Sequence, residues 1–136
     1  MTLSDPTKVM AGIVLLSLVT VESGGALMFR IVRGRQEATA LQTTFFRAGH
    51  AHAGVFLAVA LICQPFVDAT NLSGFAEWLA RTAVAIAALL LPGGFFLSVI
   101  RPGATAPNGL VRLVPAGAVV LAAGLVTLGV GLLAAT

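Results

Sequence analysis

Four long apolar stretches dominate the chain, at approximately Val9 to Ile31, Phe45 to Val67, Gly74 to Ile100 and Leu110 to Ala135. A helix of about 20 residues crosses the hydrocarbon core of a bilayer, where the backbone can hydrogen-bond only to itself. Each stretch reaches this length. The pattern therefore predicts an all-α fold, a four-helix transmembrane bundle with both termini on the same side, formed by residues 1–136 as one domain.

Short polar segments separate the four stretches and leave no room for a soluble domain. Arginines flank the first and third of these connections, whereas the second is bordered by acidic residues and a single arginine. The six flanking arginines are Arg30, Arg33, Arg35, Arg47, Arg101 and Arg112. Because positive loops stay in the cytoplasm, we expect a multi-pass protein of the cytoplasmic (inner) membrane with both termini outside.

The composition supports a lipid environment and disfavours several functions. The chain has 136 residues, of which 58% are hydrophobic and only 10% are charged. The net charge of +3 lies mainly in the connections, so it indicates topology rather than a nucleic-acid partner. The first stretch has no clear cleavage site, and we expect it to be retained. The sequence contains no phosphate-binding loop, nucleophile elbow or paired carboxylates, which argues against a hydrolase or kinase.

Two glycine-containing patterns predict features of helix packing. Gly117, Gly124 and Gly131 recur every seven residues, which places them on one face of the fourth helix and lets another backbone approach. The partner is a helix of the same chain or of another copy. In the third helix, the run from Pro92 through Gly93 to Gly94 removes a backbone donor and predicts a kink or local unwinding.

Four polar residues inside the spans are the candidates for chemistry. Glu22 is the only carboxylate deep in a span, and His50 and His52 are the only histidines. The first two helices should be antiparallel neighbours, so Glu22, Arg47 and one histidine are predicted to form a polar cluster in the inner leaflet. The two histidines would point to opposite sides of a helix, about 200° apart, which disfavours one metal bound by both.

Three resemblances bear on these residues. The element His50-Ala51-His52 resembles the His-x-His element of haem-copper oxidases, whose two imidazoles ligate different metal centres; this implies haem or metal as a candidate cofactor, with His50 and His52 as ligands. The string from Phe45 to Gly54 is similar to that of small bacterial four-span membrane proteins with no assigned function. The lone glutamate in the first of four spans, Glu22, is similar in outline to small multidrug resistance carriers.

Three functions follow as hypotheses. The first is proton- or cation-coupled transport of a small molecule through Glu22 and the histidines. The second is a redox protein that binds haem or metal through His50 or His52. The third is a structural or assembly subunit whose glycine face joins a homo-oligomer or a hetero-complex. Against all three stands a structural role, in which the polar side chains bond only to backbone, to one another or to lipid headgroups.

Overall fold

The computed structural model describes residues 2–136, which form four long helices and no strand. The helices are α1 (Asp5–Val32), α2 (Ala40–Asp68), α3 (Gly74–Ser98) and α4 (Leu113–Ala134), and a 3₁₀ turn (Gly109–Arg112) leads into α4. All four are long and apolar enough to cross a membrane, with the 3₁₀ turn counted in the fourth. The predicted all-α four-helix transmembrane bundle is thereby confirmed, and the chain is a multi-pass membrane protein.

Side-chain caps set the starts of the first two helices and explain why they begin earlier than the apolar stretches predict. The Ser4 hydroxyl accepts a hydrogen bond from the backbone N–H of Thr7, so α1 begins four residues before Val9. Thr39 and Gln42 form a reciprocal capping box at the start of α2. Caps therefore extend the helices through polar residues that hydrophobicity alone assigns to the connections.

Consecutive helices pack against each other, and α3 is the innermost. Helix α2 packs on α1 and α3, α4 packs mainly on α3, and α1 packs on α2. Half of the residues in the most apolar segment of α3 are buried, whereas only 6% are buried in the corresponding segment of α1, where the rest are half-buried or exposed. Ala80, Ala83, Ala87 and Ala88 allow close approach because they line α3 with small side chains. The core therefore lies around α3, and α1 sits at the edge.

The glycine face of α4 packs against its own chain. A Cβ placed on Gly124 would overlap the Cβ of Ala83 on α3. Gly117 lies in the same way against Leu91, and Gly131 lies against Leu72 in the connection before α3. The stripe is buried inside one chain, so it offers no free surface to a second copy or to another protein.

Helix α3 continues without interruption through Pro92, so local unwinding at this proline does not occur. The other form of that prediction, a kink at Pro92 within a continuous helix, stays a prediction. Gly93 has open space beside it, whereas a Cβ on Gly94 would lie 2.7 Å from a methyl carbon of Val114. Gly94 therefore lets the start of α4 approach the end of α3.

Candidate functional site

A groove of about 320 Å³ opens on the surface between the first three helices. Thr20 and Ser23 line it from α1, His50 and Ala53 from α2, and Phe96 from α3. Both hydroxyls donate hydrogen bonds to backbone carbonyls of their own helix, as is usual for such residues in an apolar setting. The groove is thus an apolar cleft with hydroxyls along one wall and an imidazole on the other.

His50 occupies this groove because α1 carries two glycines opposite it. A Cβ on Gly24 would lie 3.0 Å from Nδ1 of His50, and one on Gly25 would lie 3.6 Å from Cε1. Within residues 2–136 the His50 ring makes no hydrogen bond, and these residues contain no buried polar side-chain atom without a partner. Both ring nitrogens of His50 must therefore have some accessible surface, and the residue lines the groove.

His52 lies in different surroundings on the same helix. Its Nδ1 is 2.7 Å from the carbonyl oxygen of Ala48, and its ring packs against Phe56 and Phe95 with centroid distances of 5.3 Å each. A carbonyl can only accept, so Nδ1 carries the hydrogen and Nε2 keeps the lone pair in the neutral ring. His50 contacts α1 and His52 contacts α3, so the two imidazoles lie on different sides of α2.

Glu22 and Arg47 are both exposed, and they do not form the predicted cluster through hydrogen bonds or ion pairs. Within the described residues neither side chain bonds to the other or to a histidine. The same residues contain no group of three His, Cys, Asp or Glu side chains close enough to hold a metal. Acidic residues are rare within transmembrane helices because an ionised one costs about 3 kcal/mol at the bilayer centre, so Glu22 stays a candidate for function.

A second polar site, which the sequence analysis did not predict, surrounds Arg81 at the end of the bundle where α1 and α3 begin. Arg81 is buried, and its guanidinium donates to Oγ1 of Thr7 at 2.6 Å, Oδ1 of Asp68 at 3.0 Å and Oε1 of Glu77 at 3.1 Å. Gln64 completes the network, because its amide nitrogen donates to the backbone carbonyl of Arg81 at 2.9 Å. We call these five residues the Arg81 network.

The Arg81 network ties three helices together at this end. Asp68 at the end of α2 accepts from the backbone N–H of Ser4 at 3.0 Å and from the Ser4 hydroxyl at 2.7 Å. Thr7 links α1 to Arg81 on α3. Although α1 is exposed over most of its length, its first turn is therefore fixed to both α2 and α3.

The sequence contained a signal for this network. Glu77 and Arg81 are four residues apart, as are Gln64 and Asp68, so each pair lies on one face of its helix. Gln64 is also a polar residue inside an apolar stretch. The acidic residues and Arg81 entered the topology argument only, because the depth of each side chain in the bundle is not visible in the sequence.

A surface cleft of about 460 Å³ borders the Arg81 network. Asp68, Glu77 and Arg81 line it together with the chain just before α1. Two carboxylates and one guanidinium give these three residues a combined charge of one negative. Glu77 is the most accessible of the three, with 39% of its side chain exposed. The charged group that the cleft presents to solvent is therefore mainly a carboxylate.

Comparisons with known proteins found no matching family model, no matching curated protein and no matching solved structure.

Proposed function

We propose that the protein is a small membrane carrier that binds an organic cation in the groove beside His50 and exchanges it for a proton. The observation that supports this proposal is the position of His50, whose ring nitrogens are reachable and have no partner within residues 2–136. Histidine is the side chain whose charge changes near neutral pH, so it suits a site that must gain and lose a proton repeatedly.

Charge repulsion provides the coupling. In an apolar groove, two positive charges a few ångströms apart repel far more strongly than in water. A protonated His50 therefore excludes a cationic ligand, and a bound cation favours the neutral imidazole. The hydroxyls of Thr20 and Ser23 give a bound amine hydrogen-bond acceptors, and Phe96 supplies an apolar wall. In this scheme Glu22 is a second proton carrier on α1.

Flux measurements in proteoliposomes test the proposal. Ethidium and tetraphenylphosphonium serve as probes under an imposed pH gradient, and a pH-sensitive dye reports proton movement. We expect His50→Gln to abolish coupled movement, whereas His52→Gln on the same helix should retain it because that ring bonds internally. Equal flux in the two variants, or no flux of either probe in the unaltered protein, would contradict the proposal.

A haem- or metal-binding function is the second candidate, and the geometry of His52 favours it over His50 as the ligand. The bond from Nδ1–H to the Ala48 carbonyl fixes the ring and leaves Nε2 as the free donor atom, which is the usual arrangement of a ligating histidine. Purified protein from haem-supplemented cells should then show a Soret band that His52→Ala removes and His50→Ala retains. A colourless, metal-free preparation would exclude this function.

We also propose that the Arg81 end faces outward, away from the cytoplasm. The two basic residues at this end are paired: Arg81 with Asp68 and Glu77, and Lys8 with Asp5 at 2.9 Å. The other six arginines form no ion pair within the described part of the chain and flank the two connections at the opposite end, which the positive-inside rule assigns to the cytoplasm. A C-terminal alkaline phosphatase fusion should be active, and a fluorescent-protein fusion dark, if both termini lie outside.

A further inference from the structure

A second cleft adjoins the His50 groove, at the end of the bundle that carries the first and third connections. It has a volume of about 460 Å³ and lies between these two connections, the end of α1 and the start of α2. Leu27 lines both this cleft and the His50 groove. Phe46 of the cleft stacks on Phe96 of the groove, with a centroid distance of 5.5 Å. The two cavities are therefore neighbours that share a wall.

The residues that line the two cavities include one stripe on each of two helices. Members of a stripe follow one another at intervals of three or four residues, which keeps them on one side of the helix. The α2 stripe is Gln42, Phe46, His50 and Ala53, and the α1 stripe is Thr20, Gly24 and Leu27. The α2 stripe rises about 16 Å from its first member to its last. The cavities thus follow one line along the boundary of α1 and α2, which we call the α1–α2 path.

The opposite end of the α1–α2 path is closed. Both buried residues of α1, Thr7 and Val14, lie in the first half of that helix. Val14 belongs to the apolar core together with Leu57, and Leu18 packs against this core. One turn before the end of the bundle, Thr7 accepts the hydrogen bond from Arg81 at 2.6 Å. The path therefore opens toward the first and third connections and stops at the core.

Glu37 gives the mouth of the path its charge. Within residues 2–136 it is the one charged side chain that lines the cleft, and it forms no ion pair there. The arginines of the two connections are exposed, and in this part of the chain none of them lines the cleft. Further in, Phe46 and Phe96 supply aromatic walls. A carboxylate followed by aromatic faces suits an organic cation, which the ring electrons attract.

We infer that an organic cation reaches His50 through the α1–α2 path, from the end of the bundle that carries the first and third connections, with Glu37 at the entrance. This inference takes its ligand from the proposed function and adds the side from which that ligand is loaded. In the orientation proposed above, that side is the cytoplasm. The Arg81 network holds the far end closed, as a carrier open to one side requires.

Thiol labelling tests the path without a transport measurement. On a Cys63→Ser background, Ala53→Cys places a thiol in the path, and Ala51→Cys places one about 200° away on the same helix. Thr105→Cys, exposed in the third connection, marks the side of the connections. The reagent is a membrane-impermeant methanethiosulfonate with a trimethylammonium group, added to right-side-out or inverted vesicles. We expect Ala53→Cys to react from the side that labels Thr105→Cys, and Ala51→Cys to react from neither side.

Two further variants make the labelling test specific. Leu27→Trp fills the shared wall and should abolish the labelling of Ala53→Cys, whereas Val32→Trp, at a position that is 81% exposed and about 140° away on α1, should not. Thr20→Cys, on the opposite wall of the groove, should react from the same side as Ala53→Cys. Labelling of both groove positions from the other side, labelling of neither, or equal labelling of Ala51→Cys would overturn the inference.

Glu37→Gln tests the charge at the entrance. In the Ala53→Cys protein it should slow the cationic reagent about two- to fivefold relative to an anionic sulfonate reagent of the same type, because a carboxylate concentrates cations near it. An unchanged ratio would overturn the assignment of Glu37. The path and the transport proposal fail separately. If the unaltered protein carried neither probe but kept the labelling pattern, transport alone would be contradicted, whereas flux without labelling at Ala53→Cys would contradict the path alone.

Discussion

Removal of the Arg81 guanidinium should destabilise the bundle more than the loss of any other charge. In Arg81→Met, Asp68 keeps its two bonds to Ser4 but loses the guanidinium at 3.0 Å, its one positive partner within residues 2–136, while only 13% of its side chain is exposed. Loss of one partner from a buried ion pair costs about 3–5 kcal/mol. The adjoining cleft opens Asp68 to solvent on one side, so we expect the lower end, about 3 kcal/mol.

The assay is equilibrium unfolding in mixed micelles with sodium dodecyl sulfate as the denaturant. Trp78 is the single tryptophan and stacks on Phe75 at a centroid distance of 5.8 Å, so its fluorescence reports the start of α3, where Arg81 lies. Lys8→Met is the control, because Lys8 forms an exposed ion pair of the kind that contributes little to stability.

Two further variants separate charge from geometry. Arg81→Lys keeps the positive charge but loses the planar fork that reaches two carboxylates, so its stability should fall between that of Met and that of the unaltered protein. Adding Asp68→Asn to Arg81→Met removes the unpaired carboxylate and should restore part of the loss. If Arg81→Met unfolded at the same detergent fraction as Lys8→Met, the network would not stabilise the fold and this reasoning would be refuted.

Three other predictions concern contacts between elements of the bundle. Gly124→Ala overpacks the contact with α3 and should destabilise by about 1–3 kcal/mol in the same unfolding assay, whereas Gly129→Ala, with open space beside it, should not. Gly24→Val should displace the His50 ring from α1 and lower probe flux, and the loss should be absent if the ring position is unimportant. Gln42→Leu removes the side-chain donor to the Val99 carbonyl, whereas the Arg101 carbonyl keeps the N–H of Ala104, and should cost about 1–3 kcal/mol, measured by unfolding.

The fold was predictable because lipid imposes a simple rule on the sequence. Each backbone group in hydrocarbon must bond within its own helix, so the length of an apolar run determines a span. The boundaries were less accurate at Asp5 and Ala40, where Ser4 and Thr39 extend the helices by capping. Caps depend on individual side chains, which hydrophobicity does not measure.

The candidate site was only partly predictable. Spacing indicated that His50 and His52 serve different sides of α2, and the structure puts Gly24 against one and Phe95 against the other. To predict where the Glu22 side chain points, one must know how α1 is rotated about its axis. That rotation depends on contacts with α2, which the spacing of residues within α1 does not specify. The same limit applied to Arg81, since a side chain near a helix end can face water or turn inward.

The Arg81 network also bears on how the chain enters the membrane during synthesis. Thr7, Gln64 and Asp68 precede Arg81 in the sequence, so α1 and α2 leave the ribosome before the guanidinium emerges. Arg81 therefore meets its hydrogen-bond acceptors already in place, which lowers the cost of admitting a cation with the third span. With the order of the two helical hairpins reversed in a permuted gene, Arg81 would arrive without these partners, and the third span should then be integrated less efficiently.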